Sequence, residues 1–313
     1  MKKRIIVGIV ATAVIVGGIF ALSQIKGNKP KGGDPRKIIV VTTLFPLYDI
    51  AKGIGGDKAD VSLLLPPGVE PHTFEPKPTD IVRINEADCF IYTGRVMEPW
   101  AEDIIKGASN KRLIVVDASR GTKIIPAVFP DKKEPAGALD PHIWLDFDNA
   151  KIMVRNITQA LELRAPADNA FFKQKAADYN KQLTELDASF RTVLSTCKSK
   201  EIVYGGHYAF GYWARRYGLR YLAAQGVSPD AEPTAKDLAR LVDQIKKNNI
   251  KYVFYEELTS PKIAETIARE TRAKLLLLNA AHNLTKDQFR RGVSFFDILT
   301  ADLENLKIGL ECR

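Results

Sequence analysis

The chain has 313 residues, 45% hydrophobic and 27% charged. That is enough apolar material for roughly two domains of about 150 residues, and it excludes a disordered or fibrous protein. Six of the nine net positive charges come from Lys2, Lys3, Arg4, Lys26, Lys29 and Lys31, which leaves +3 for the remainder and no case for a nucleic-acid partner.

Residues 1–23 open with the basic Met1-Lys2-Lys3-Arg4 and continue in an uncharged apolar run over 5–22. Such a segment is expected to be a signal peptide, cut near Ala21-Leu22-Ser23, or an N-terminal membrane anchor of minimal length. No cysteine follows it to carry a lipid. Residues 24–36, rich in Lys, Gly and Pro, read as a flexible tether. The body of the protein is therefore expected in the periplasm or otherwise outside the cytoplasm.

From residue 37 the pattern alternates, with strands expected at 37–44, 61–65, 89–93 and 113–116 and helices at 48–54, 80–87 and 97–108. A helix over 150–163, capped by Asp148, and a longer one reaching residue 193 follow. The longer helix has the apolar stripe Phe172, Ala176, Tyr179, Leu183, Leu186, Phe190 and Val193. Alternation then resumes, with strands at 202–204, 221–224, 252–255 and 275–278. The helices between and after them are expected at 208–217, at 235–247, after Ser260-Pro261, and over 295–306. The result is an α/β fold of two lobes, each with a mainly parallel sheet flanked by helices. The N-terminal lobe spans 37–148 and the C-terminal lobe 197–313, joined by connecting helices over 149–196 that include a long rigid linker helix.

Three cysteines permit one internal disulfide. Cys89 lies in an apolar strand and reads as a buried thiol. Cys197 and Cys312 either bridge, tying the tail to the second half of the chain, or both stay free.

The four histidines all fall in loops. His72 follows the second strand in Glu70-Pro71-His72. His142 sits in Asp140-Pro141-His142-Ile143-Trp144-Leu145-Asp146, where Pro141 and the apolar anchors aim the ring. His207 follows a strand and two glycines, and His282 lies just past the last strand with Asn279. Ligands of open α/β sheets bind beyond the carboxyl ends of strands, so these rings point toward one cleft. Four imidazoles without a thiolate argue for Zn²⁺, with Mn²⁺ disfavoured. Asp140, Asp146, Glu70, Glu75, Glu256 and Glu257 could orient imidazoles from behind. Of these, Glu70 and Glu257 are expected to face water or cap helices, and Glu256, ending a buried strand, to face the cleft. A zinc hydrolase with Glu256 as general base is the rival from another class, although no HExxH helix or nucleophile elbow is present. A metal-binding surface adhesin is a further alternative.

The motifs Pro71-His72-Thr73-Phe74-Glu75-Pro76, Asp140 through Asp146, and His207-Tyr208-Ala209-Phe210-Gly211-Tyr212 resemble the zinc and manganese solute-binding proteins of bacterial ABC uptake systems, in particular the zinc type. The resemblance implies capture of an ion between two lobes, delivery to an ABC permease in the membrane, no covalent chemistry, and a monomer. It also implies ligands at His72, His142, His207 and Asn279. Asn279 departs from the aspartate usual there, so His282 is expected to supply the fourth imidazole, with Glu256 or water as alternatives. The stretch after Val116 lacks the His-rich loop many zinc importers have. Proton competition is expected to release zinc near the ordinary imidazole pKa of about 6.5.

Overall fold

The computed structural model describes residues 37–128, 138–229 and 233–313. The expected leader, anchor and tether over 1–36, and most of the loop 129–139, lie outside the described residues. Among the described residues no helix is long and apolar enough to cross a membrane.

The first sheet is built from β1 (Ile38–Thr42), β2 (Ala59–Leu63), β3 (Cys89–Tyr92) and β4 (Ile114–Asp117) in the order β2-β1-β3-β4. The second, β5 (Glu201–Tyr204), β6 (Arg220–Ala223), β7 (Tyr252–Tyr255) and β8 (Lys274–Leu277), repeats it as β6-β5-β7-β8. Every pairing is parallel, as continuous apolar strands covered on both faces require. Helices α1 (Phe45–Gly55), α2 (Pro78–Glu86) and α3 (Ala101–Gly107) flank the first sheet. The second has α6 (Gly211–Tyr217), α7 (Ala235–Asn248), α8 (Lys262–Thr271), α9 (Lys286–Arg291) and α10 (Phe295–Gly309). Between them run α4 (Phe147–Arg164) and the 27-residue α5 (Asn169–Ser195), about 40 Å long at ~1.5 Å per residue.

Three departures from expectation have local causes. The third helix starts at Ala101 instead of 97, because Pro99 offers no N–H and the N–H groups of Met97 and Glu98 both turn back to the Gly94 carbonyl. The cap of α4 is Asp146, which accepts from the N–H groups of Asp148 and Asn149, and Asp148 pairs with Arg216 instead. On α5 the buried stripe passes from Leu183 to Asp187 and Leu194, leaving Leu186 and Val193 half-buried. A 3.5-residue repeat drifts by about 20° per heptad on a helix of 3.6 residues per turn, so the buried face advances by one residue along the helix. Asp187 tolerates this because Arg216 Nη2 and Tyr217 Oη donate to it at 2.7 and 2.8 Å.

One hydrophobic core runs without interruption from Ile38 through α4, α5 and the inner face of the second sheet to Leu310, with a smaller cluster on the outer face of each sheet. The lobes are also stitched by polar contacts. Asp49 of α1 accepts from Tyr179 Oη of α5 at 2.7 Å and from the Phe295 N–H of α10 at 3.0 Å. The indole of Trp213 donates to Leu145 O at 2.7 Å. Cys197 and Cys312 are joined by a disulfide, and Cys89 is a buried free thiol whose pKa burial pushes up to about 12.

Candidate metal centre

Each histidine is delivered by a loop with its own fixing contacts. The His72 loop turns at Pro66, where Gly68 adopts φ +87°. It is pinned to the opposite lobe by Asn283 Nδ2, which donates to Pro66 O and Val69 O at 2.9 and 2.8 Å. His142 ends an extended segment just before a tight turn over Ile143–Leu145, whose Trp144 indole donates across the cleft to Ala280 O at 2.8 Å. His207 follows Gly205 and Gly206; a Cβ on Gly206 would stand 2.6 Å from Glu256 Oε2, so glycine there is what lets the carboxylate reach this loop. His282 follows β8, and its carbonyl accepts the Phe45 N–H at 3.2 Å.

The four rings form one cluster. His142, His207 and His282 are fully buried. Ring centroids lie 5.3 Å apart for His72–His142, 5.0 Å for His72–His207, 5.1 Å for His142–His207, 5.6 Å for His207–His282 and 6.2 Å for His72–His282. Behind His142, Nδ1 lies 2.8 Å from Asp140 Oδ1; behind His207, Nδ1 lies 2.8 Å from Glu256 Oε1. With Nδ1 of His142 hydrogen-bonded to Asp140 and Glu256 Oε1 beside Nδ1 of His207, the two Nε2 atoms are left to a metal and stand 3.1 Å apart. Lone pairs that close repel unless a cation lies between them. Two nitrogens on one tetrahedral Zn²⁺, with bonds of about 2.0 to 2.1 Å, stand about 3.3 Å apart. His72 offers its ring to the same point, with Nε2 buried and unpartnered, and one ligand atom from each of the three residues lies within 4.8 Å of the others. The donor set therefore fits the ion.

His282 stands at the edge of this group, with neither ring nitrogen hydrogen-bonded and Nε2 3.7 Å from Glu70 Oε2. Asn279 is engaged elsewhere: its Oδ1 accepts the Ala281 N–H at 2.7 Å and its own N–H goes to Asp302 at 2.9 Å. Its amide is thus spent on the turn that presents His282. Two carboxylates depart from expectation. Glu70 faces the site, accepting the His72 N–H at 3.1 Å. Both carboxylate oxygens of Glu257 are buried without a hydrogen-bond partner, and burial with the neighbouring Glu256 charge holds it well above the usual carboxylate range. Glu75 is exposed, and Asp146 serves as a helix cap. Sequence reasoning missed Asn283 and Asp302, which join loops distant in sequence and leave no local signal.

The electrostatics also move the expected proton competition. Burial and the charges of neighbouring histidines lower His72 to about 3 and His142 well below its ordinary value, so these two rings stay neutral far below pH 6.5. Burial pushes Asp140 up to about 8 despite the His142 N–H. Burial likewise opposes ionisation of Glu70, yet His282, His72 and His207 together hold it at about 2.

A buried cluster of imidazoles backed by carboxylates, between two α/β lobes on a continuous helix, defines a two-lobed solute-binding protein for a metal ion. The chain belongs to the ZnuA family, described as zinc-uptake complex component A, periplasmic, whose profile it matches over residues 40–309. It is 35% identical over 309 residues to the high-affinity zinc uptake system protein ZnuA of Bacillus subtilis, with 96% of each chain covered. It is 36% identical over 324 residues to the zinc-binding protein AdcA of Streptococcus pyogenes; 98% of this chain is covered but only 62% of AdcA, so the chain spans about three fifths of that relative. Among solved structures, the Zn(II)-bound ZnuA-like domain of Streptococcus pneumoniae AdcA superposes with a TM-score of 0.76 at 34% identity, covering 88% of this chain and all of that one.

Proposed function

We propose that the protein captures Zn²⁺ outside the cytoplasmic membrane, between its two lobes, and delivers it to an ABC permease. The ligands are His72, His142, His207 and His282, with Asp140 and Glu256 fixing the tautomers of His142 and His207. The observation that carries this reading is the pair of Nε2 atoms 3.1 Å apart, each with its Nδ1 backed by a carboxylate. Family membership supports it, as do the zinc-uptake and zinc-binding names of the relatives. A nitrogen-rich donor set favours Zn²⁺ over Mn²⁺. The protein acts as a monomer without nucleic acid, held at the membrane or released according to whether the apolar run over 5–22 is retained. It performs no covalent chemistry: a hydrolase would keep the fourth coordination position for water, which here faces His282.

Metal analysis and X-ray absorption on the purified protein test the reading. One zinc per chain in a four-nitrogen shell is expected, with His142→Ala losing the ion from that shell and His282→Ala replacing one nitrogen by oxygen. A shell of mostly oxygen donors, or no bound zinc, would overturn it.

A further inference from the structure

The cluster holds more donors than one tetrahedral ion uses. Beside the three-imidazole group, a second set, Glu70, Glu256 and His282, places one ligand atom from each within 4.8 Å of the others. It is more than an acidic cluster. His282 is fully buried with both ring nitrogens unpartnered, and Glu70 Oε2 is buried and unpartnered as well. The Gly68 and Asn283 contacts that pin the Glu70 loop to the His282 loop hold this set together across the lobes.

We propose that Glu70, Glu256 and His282 form a second cation position, a transfer post through which the same divalent ion passes on its way to and from His72, His142 and His207. This rests on the reading that the protein carries Zn²⁺. Three features give the post its direction and its link to the inner position. Glu70 keeps 18% of its side chain exposed, against 1% for Glu256 and none for His282, so the post opens on the solvent side. Glu256 touches both positions, since its Oε1 also lies 2.8 Å from His207 Nδ1. His282 serves both: turned toward Glu70 it belongs to the post, and turned inward it completes the tetrahedron. Two carboxylates neutralise one dication, whereas two dications in adjacent positions would leave uncompensated charge in a buried site. The ion therefore occupies one position at a time, exchanging ligands stepwise without ever being stripped bare.

Crystals of the His142→Ala variant soaked in Zn²⁺ test this directly. The anomalous peak is expected among Glu70, Glu256 and His282; a peak elsewhere, or none, would overturn the transfer post. Wild-type crystals soaked alike separate the two readings, because a missing peak at His72, His142 and His207 there sinks the proposed function itself. Stopped-flow exchange with a chelator gives an independent arm, which does not depend on the variant histidine loop folding correctly. Glu70→Gln should still bind one zinc with affinity within about threefold of wild type, while uptake and release both slow by about tenfold. Unchanged rates, or faster release with unchanged uptake, would make Glu70 an ordinary charge near the site.

Discussion

Asp140 behind His142 and Glu256 behind His207 stand at the same distance, 2.8 Å from carboxylate oxygen to Nδ1, yet their protons behave oppositely. Burial dominates at Asp140 and pushes it up to about 8, with only the His142 N–H and the His207 charge opposing it. At Glu256 burial acts in the same direction, but the charge and hydrogen bond of His207 and the charge of His282 outweigh it and lower its pKa. Equal separations thus give one backing group that holds a proton at neutral pH in the metal-free protein and one that is already an anion. The first lobe's pair is a proton-linked support, and the second lobe's pair is a fixed charge.

The coarsest way to break this comparison is to remove the rings. His142→Ala and His207→Ala should each weaken Zn²⁺ binding by more than about 100-fold in competition titrations, beyond the 10- to 100-fold range usual for a supporting partner. Glu256→Gln should cost about 10- to 100-fold at pH 7, and Asp140→Asn less, because Asp140 is not ionised there until the ion arrives.

The pH dependence sharpens the contrast. Asp140 holds its proton in the metal-free state below about 8, and a cation on His142 favours the carboxylate, so binding expels that proton. Affinity should therefore climb with pH from about 6 to 8, by at most about tenfold per unit for one proton, and level off above. His72 and His142 add no break near pH 6.5, since His72 protonates only around 3 and His142 lies well below its ordinary value. Titrations in Asp140→Asn should lose the climb, whereas those in Glu256→Gln should keep it. The smallest effect is expected at Trp144→Phe, which keeps the ring but loses the bond to Ala280 O. It should cost about 1 kcal/mol in denaturant melts.

Strand and helix order were legible because apolar runs of two periods alternate along the chain, and all eight strands fall within a few residues of where the pattern puts them. The histidine cluster was legible because four loops all carry the same scarce residue, three of them following strands and that of His142 leading into the linker helices. What the pattern could not reveal depends on contacts between distant segments. Glu70 reads locally as a solvent residue, and it faces the site only because Asn283 draws its loop inward. The α4 start is braced by Arg216, which lies 68 residues beyond Asp148 and pairs with both Asp148 and the cap Asp146. The proton behaviour of Asp140 and His72 comes from burial, which alternation of residues does not measure.

The Cys197–Cys312 disulfide, with a sequence separation of 115, closes the second lobe into a covalent ring that hangs from the end of α5. Linking a loop of roughly 100 residues lowers the disorder available to the unfolded chain by about 4.7 kcal/mol in the chain-entropy picture. A protease that nicks this lobe once leaves its two pieces joined, so a protein living among secreted enzymes can be cut within the second lobe without shedding His207 or His282. The same ring cannot close in a reducing compartment, which ties maturation of the second lobe to arrival outside the cytoplasm.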